Sequence, residues 1–572
     1  MYSQISSIIL WLLGGARGPS GRLMARWIFL RALGLIYLSA FYSLARQILG
    51  LIGPHGILPA GEYLQAVARS TGHARFWYAP TLLWFSTGSH ALTALCCVGI
   101  IASLLVVLNV LPRATLLICL LCFLSFVSAA GEFSGYQSDG MLLEAGFISL
   151  FLAPVGFRPG LGLRQPPMRA AVFLLLWEWF RIYFESGVVK LASGDPQWRN
   201  FTAMDEYYQN GPLPTWIGWY VQHLPHWFHA ATAFSTLALE LVIVWIWFLP
   251  RPWRIVCFCI VTPWQIGVIA TANYTFLNYL VLVLGFFLLD DRLLSRLVPR
   301  KIRDRLPAAW ETEPPAEATP QVFDSQSILQ PQSESRIDSA VSLREEPRPL
   351  TDGRFQQHGW TESWPQWLSS ATLALTALAL GWVFYSSTAL MISMIWPGAP
   401  LPKSPVAALE PFRIADRYGL FAVMTRGRYE IEFQGSNDGQ TWVPYPFRFK
   451  PQDPGKAPGI YAPYQPRFDW NLWFASLGAW RSNPMVPRTE ERLLAGSPDV
   501  LELFASNPFP NQPPRQIRAV LWQYWFSSPS EKHAQGLWWK RQPLGLYAPT
   551  LQRDASGKIS VSEWPDPREL RE

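Results

Sequence analysis

Apolar residues in this chain come in long blocks, with little of the strict alternation that marks half-buried strands until the last third. A helix that crosses a bilayer needs roughly 20 mostly apolar residues, and its backbone groups must be satisfied within the segment. Residues 81–109, 114–130, 226–249, 254–272, 275–289 and 367–396 fit that pattern plainly. Three further stretches fit it in interrupted form: 27–49, broken by Arg31; 141–155, which is short; and 168–190, which carries Glu178, Arg181, Glu185 and Lys190. The pattern predicts about nine spans. Residues 5–13 are apolar but too short to cross, and with no clean small-residue cleavage site after them they read as an interfacial segment.

Residues 307–365 are rich in Pro, Glu, Ser and Gln and poor in aromatic and β-branched residues, so they cannot bury enough surface to offset their ordering entropy. After the last span the pattern changes again. RYEIEFQGS (428–436) sets Tyr429, Ile431 and Phe433 against charged neighbours, Asn437-Asp438-Gly439 is a turn signal, and TWVPYPFRF (441–449) alternates once more, which predicts a hairpin. IRAVLWQYWFSS (517–528) is a further strand candidate. The expected fold is a polytopic α-helical membrane protein with a C-terminal mainly-β, sandwich-like extramembrane domain. Its divisions are an N-terminus with the interfacial segment (1–26), an eight-span membrane domain (27–299), a disordered linker (300–366), a ninth span (367–396) and the β-rich domain (397–572).

Composition supports this division. Only 15% of residues are charged, against roughly 25% for an ordinary soluble domain, which argues against a soluble enzyme. Aromatics make up 15%, with 29 Trp, as suits many membrane–water boundaries. The net charge of +7 is too dispersed for nucleic-acid binding. Lys and Arg accumulate in short cytoplasmic loops. Arg17, Arg22 and Arg26 precede the first span, Arg113 follows the second, Arg158, Arg164 and Arg169 follow the fourth, and Arg251 and Arg254 follow the sixth. The basic run at 292–305 follows the eighth. All fall on one side, which makes the N-terminus and linker cytoplasmic and the C-terminal domain lumenal or periplasmic.

Ionisable residues within spans are costly and count as functional candidates by default. Asp139, Glu144, Glu178, Arg181, Glu185 and Glu240 form this set, with His90 beside it. At about 100° per residue, Glu178, Arg181 and Glu185 fall within about 60° of one another, so they can face a functional cavity or partner or form an ion-pair ladder along one helix. Asp139 and Glu144, five residues apart, can serve acid–base work, or Ser138 or Asp139 can be the N-cap of a helix start. Lys190 projects about 120° away from Glu178 unless the helix relaxes at Gly187. It can serve as a snorkelling lysine at the external membrane surface or, if desolvated, as a base. The six cysteines lie in or beside spans, and Cys119-x-x-Cys122 has no companion pair or His, so small packing residues are expected there and no metal site or cofactor. The aromatic loop 191–225 can form a lid, a partner surface, or interfacial segments anchored by Trp198, Trp216 and Trp219. Asn200-Phe201-Thr202 is a glycosylation acceptor if the source is eukaryotic.

Several long strings, in order, resemble the lipase maturation factor family: FLRALGLIYLSAFYSLARQ (29–47), LIGPHGILPA (51–60), YQSDGMLLEAGFISLFLAP (136–154) and FRIYFESGVVKLASGDPQWRNFTAM (180–204). RYGLFAVMTRGRYEIEFQGSNDGQTW (417–442), PRFDWNLWFASLG (466–478), NPFP (507–510) and GLWWKRQPLGLY (536–547) continue the resemblance. It implies a chaperone-like protein of the endoplasmic reticulum membrane that helps secreted homodimeric lipases reach an active state. The acidic, Pro-rich linker, a C-terminal domain without cysteines, and 39 Arg against 8 Lys depart from the animal pattern and leave a bacterial inner membrane open. Candidate client anchors are Trp470, Trp473, Phe474, Trp538, Trp539 and Arg541, which core packing of a sandwich explains as well. Arg467 and Asp469 join them, or form an internal ion pair. An alternative reading comes from YFESGVVKLASGDPQW (183–198), which resembles the membrane superfamily of vitamin K-dependent carboxylase and would make Lys190 a catalytic base.

Overall fold

The computed structural model describes residues 21–297, 366–554 and 556–566, so the segment at 5–13 and the linker expected over 307–365 lie outside the described residues. Its principal membrane-side helices are, in chain order, α1 (Leu23–Ala45), α2 (Ser89–Val107), α3 (Pro112–Val127), α4 (Gln137–Leu152), α5 (Arg169–Ala192), α6 (Trp216–Gln222), α7 (His226–Leu241), α8 (Arg251–Thr271), α9 (Leu277–Leu284) and α10 (Gln366–Ile395). A helix therefore stands at each of the nine stretches that the hydropathy pattern marks. Five are long and apolar enough to cross a bilayer: α1, α2, α7 with its continuation to Phe248, α8 and α10. Among the described residues, length and composition thus mark five candidate spans against the nine expected; the helices at 112–127 and 277–288 are apolar but shorter.

The basic loops gather at one end of the bundle. Asp291 accepts from the backbone N–H groups of Leu23 and Met24 at 2.8 Å each, Arg26 donates to the Gln165 carbonyl at 2.6 Å, and Arg113 donates to the Ala153 carbonyl at 2.8 Å. Arg251 pairs with Asp290 at the same end.

The C-terminal domain is seated on the opposite end. Gln47, just past α1, donates to the Gln465 carbonyl at 2.9 Å, and Asn273 donates to the Gly459 carbonyl at 2.9 Å. Apolar packing is continuous across this boundary, so one core runs from Phe29 in α1 to Ile431 and Leu521 in the sheet.

The domain contains helices α11 (Arg467–Ser476) and α12 (Met485–Leu494) and strands β1 (Arg428–Ser436), β2 (Val443–Pro444), β3 (Gln516–Phe526), β4 (Trp539–Leu546), β5 (Thr550–Arg553) and β6 (Ile559–Glu563). All six belong to one antiparallel sheet in the order β2-β1-β3-β5-β6, with β4 branching from β3. The sheet is thus a single branched layer covered by helices, instead of two stacked leaves.

The first arm of the expected hairpin matches β1, and Asp438 Oδ1 holds the turn by accepting from the N–H groups of Gln440 at 2.9 Å and Thr441 at 2.7 Å. The second arm shrinks to two residues, paired Gln434 with Pro444 and Gly435 with Val443. Pro444 and Pro446 lack the N–H that a ladder needs. The long partner of β1 is β3, paired from Arg428 opposite Tyr524 to Ser436 opposite Gln516.

Candidate functional site

Between α10 and β1 the chain runs through residues 413–427 with almost no regular structure, yet this segment lies against the ends of α4 and α5. Irregular backbone at such a place must find every hydrogen-bond partner in the protein. The ionisable residues of the spans supply them. Glu185 accepts from the Tyr418 N–H at 2.6 Å, Glu144 accepts from the Asp416 N–H at 3.2 Å and the Tyr418 hydroxyl at 2.7 Å, and Gln137 accepts from the Gly419 N–H at 3.0 Å. Arg181 donates to the Asp416 carbonyl at 2.7 Å and pairs with Glu144, while Glu185 lies 3.8 Å from its guanidinium. Further along, Ser186 accepts from the Leu420 N–H at 3.2 Å and Asp195 from the Met424 N–H at 2.7 Å. The cluster expected along α5 is therefore an interhelical junction whose centre is Arg181. Glu178 stays outside it, fully buried, with neither carboxylate oxygen hydrogen-bonded.

The approach is tight at Gly140, where an added Cβ would collide with the Asp416 carboxylate. Burial pushes the Asp416 carboxyl up to about 7, against the lowering influence of Arg413.

Lys190 is not a snorkelling residue: it is 1% exposed and donates to both oxygens of Glu240, at 2.9 and 2.8 Å, and to the Leu420 carbonyl at 3.0 Å. The helix is unbroken at Gly187, whose missing side chain instead lets Leu241 and Glu240 of α7 approach. Trp198 stacks beneath the ammonium, 5.1 Å from it, and donates its indole N–H to the Phe421 carbonyl at 2.9 Å. An ammonium with its donors taken this way is held as an ion pair, whereas a base needs a free lone pair. The geometry lends no support to the carboxylase-like reading. Beside this pair lies a cavity of about 450 Å³ between α5, α7, α8 and α9.

A second ionic clamp joins the two units. Arg467 at the start of α11 donates to both oxygens of Asp139 at 2.8 Å and to the Phe133 carbonyl at 2.6 Å, with both side chains fully buried. Asp139 is thus no N-cap; Tyr136 holds that position without a side-chain bond. Nor does Arg467 pair with Asp469, which instead accepts from the Lys450 N–H at 3.1 Å. On β1, Arg428 donates to the carbonyls of Gln209 and Pro212 at 3.0 Å each and pairs with Glu430, which also holds Lys450 at 2.8 Å. Arg428, at the start of that strand, is consequently buried against the 191–225 loop, while Glu430 and Glu432 find their partners within the C-terminal domain.

Both units have counterparts in known proteins. Residues 24–296 match the model of the lipase maturation factor transmembrane domain, and residues 414–549 match that of the lipase maturation factor C-terminal domain. Lipase maturation factor 2 of Gallus gallus is 32% identical over 592 residues, spanning 92% of this chain and 81% of the relative. Lipase maturation factor 1 of Bos taurus is 31% identical over 561 residues, spanning 95% and 92%. The chain belongs to the lipase maturation factor family. No solved structure matches it.

In this lipase maturation factor family member the candidate anchors divide by burial. Trp470, Trp473, Trp539, Arg467 and Asp469 are buried and hold the fold together. Phe474 is 46% exposed, Arg541 lies outward over Trp522, and Trp538 is half-buried. The loop 191–225 and the C-terminal domain meet at Trp538: Trp219 and Tyr220 of α6 lie 5.4 and 6.3 Å from it, and Lys532 caps its ring at 4.2 Å. Trp198 and Trp219 are buried in this junction rather than anchored at a lipid surface, while Trp216 remains exposed. The sequence did not single out Tyr220 or Lys532, although an aromatic loop facing the same compartment was the signal available.

Asn200 lies exposed, and His90 is exposed, away from the ionic clusters. The six cysteines are free thiols. Among the described residues no group of three or more His, Cys, Asp or Glu is placed to hold a metal.

Proposed function

We propose that this protein is a membrane-bound maturation factor that assists the folding and assembly of secreted lipases, homodimeric ones among them. Its C-terminal domain then faces the lumen of the endoplasmic reticulum, or the periplasm in a bacterial source. The relatives' names support the client class. The separation of the basic loops from the domain, at opposite ends of the helical bundle, supports the orientation by the positive-inside rule.

The observation that carries the reading is the composite face formed by Trp216, Tyr220, Lys532 and Trp538, drawn from both units of the chain and lying on the side away from the basic loops. Amphipathic aromatics with a neighbouring cation are the residue types that carry binding energy at protein surfaces. Phe474 and Arg541 extend the set of reachable anchors.

The test is co-expression of a secreted homodimeric lipase with the full chain in cells that lack a maturation factor of their own. Lipase activity per secreted mass rises with the wild type. No rise, with the chain present at normal abundance in the membrane, rejects the reading. Epitope tags within 307–365 and after Glu572 become accessible from opposite sides of the membrane; protection of both from the same side rejects the orientation.

A further inference from the structure

α7 and α8 follow one another in the chain and are joined by two turns of 3-10 helix over Ile243–Phe248; this connector packs on α8, yet α7 itself scarcely touches α8. The faces they turn toward one another are continuous. Phe228, Thr232, Thr236 and Glu240 follow one another at four-residue spacing on α7, and Ile260, Trp264, Gly267 and Thr271 form one face of α8. Both faces line the 450 Å³ cavity, which is within the roughly 300–1,000 Å³ range of small-molecule sites. Helix α8 is the least covered of the five long apolar helices, and Ile260, at the rim of the cavity, is 43% exposed. The gap between these two helices therefore faces the lipid.

The wall chemistry narrows what can enter. Lys190 and Glu240 neutralise one another on one side. On the other, Tyr183 donates to Gln265 at 2.5 Å and Gln265 donates to Asn278 Oδ1 at 2.9 Å, which leaves the Asn278 Nδ2 as the one end of this relay without a partner; Asn278 is 6% exposed. The remaining wall is largely aliphatic and aromatic. No uncompensated charge faces the space, so an ionic headgroup would lose its hydration without gaining a counter-charge. A carbonyl or hydroxyl on an acyl chain would satisfy Asn278 and fill the apolar remainder. We propose that this cavity is a lateral binding site for an uncharged membrane lipid of the acylglycerol class, entered between α7 and α8. The site is independent of the maturation reading and is tested without any lipase.

The full chain is placed in phosphatidylcholine nanodiscs with a diacylglycerol or a phosphatidic acid, each bearing the same diazirine on one acyl chain. After irradiation, labelled peptides are mapped by mass spectrometry. The diacylglycerol should label the facing sides of α7 and α8 at least fivefold more than the phosphatidic acid does. Gly267→Trp, built where an added Cβ meets nothing within 4 Å, should reduce that labelling at least fivefold at an unchanged gel-filtration profile. Should this variant misfold, Ile260→Trp at the rim is read in its place. Equal labelling by both probes overturns the proposal, as does labelling that survives the cavity-filling variant or falls only on the outward face of α8 around Cys259 and Ile266.

Discussion

Arg467 and Asp139, 328 positions apart, form a doubly hydrogen-bonded ion pair that is wholly buried where the C-terminal domain meets the membrane helices. The guanidinium also lies 4.7 Å over the Phe126 ring, so helices α3, α4 and α11 converge on one side chain. A pair of this kind contributes little net stability compared with well-packed apolar residues, but leaving either partner alone is severe. It therefore works chiefly as a register device: α11 can sit on the bundle in one place.

Arg467→Met should destabilise the docked state by about 3–5 kcal/mol, because Asp139 then remains buried and unpaired. Adding Asp139→Leu should recover much of that loss. Limited proteolysis between the two units, with thermal melts in detergent, reads the difference. Additive losses in the double variant would show that the pair does not couple the units.

Much of this architecture is legible in the pattern of residues, and the places where it is not have a common cause. The helix positions and strands β1 and β3 follow from local periodicity, which neighbours within a few residues determine. The second hairpin arm fails because Pro444 and Pro446 veto a ladder that alternation alone suggests. The polar residues inside the spans stand out by their cost, but their partners do not. Rotation angles group Glu178 and Glu185 with Arg181; Glu185 does lie 3.8 Å from the guanidinium, but Glu178 does not join, and the closer partner is Glu144, on another helix. The occupant of that junction is a stretch of backbone at 413–427, and peptide groups carry no sequence signal at all.

Adjacent tryptophans show the same limit and yield a prediction. Trp538 and Trp539 are equivalent in sequence, but β4 pairs Trp539 with Phe526 and turns it inward, where it packs 4.6 Å from that ring. Trp539→Ala should cost about 3–5 kcal/mol and lower the abundance of the protein. Trp538→Ala, alone or with Tyr220→Ala, should leave abundance near normal and reduce lipase activation severalfold or more. Measuring both quantities for each variant separates the roles; a Trp538 variant with full activation would remove this face from the client surface.

Asp469 gives the domain a pH dependence. Burial raises its carboxyl to about 6, only partly opposed by the backbone N–H and the charge of Lys450. The unfolded value lies near 3.9. The folded state thus holds the proton more tightly, so its stability is highest below about pH 4 and declines as pH rises toward 6, by on the order of 2–3 kcal/mol. Asp469→Asn keeps the oxygen that accepts from Phe449 and Lys450 and removes the ionisation. The variant should gain on the wild type across that interval and hold a constant difference above it. Parallel stability profiles from pH 4 to 6 would refute the assignment.

Lys190 distinguishes structure from chemistry most sharply. Its ammonium serves Glu240 and the Leu420 carbonyl at once, tying α5 to α7 and to the segment that leads into β1. Lys190→Met should therefore lower the amount of folded protein by stranding Glu240, at about 3–5 kcal/mol. Lys190→Met with Glu240→Gln removes the stranded charge and should restore both abundance and lipase activation. A catalytic base would behave otherwise, since the double variant still lacks the amine and would stay inactive however well it folded. Lipase activity per unit of folded factor, compared across the single and double variants, makes the distinction, and an inactive but abundant double variant would require Lys190 to do more than hold two helices together.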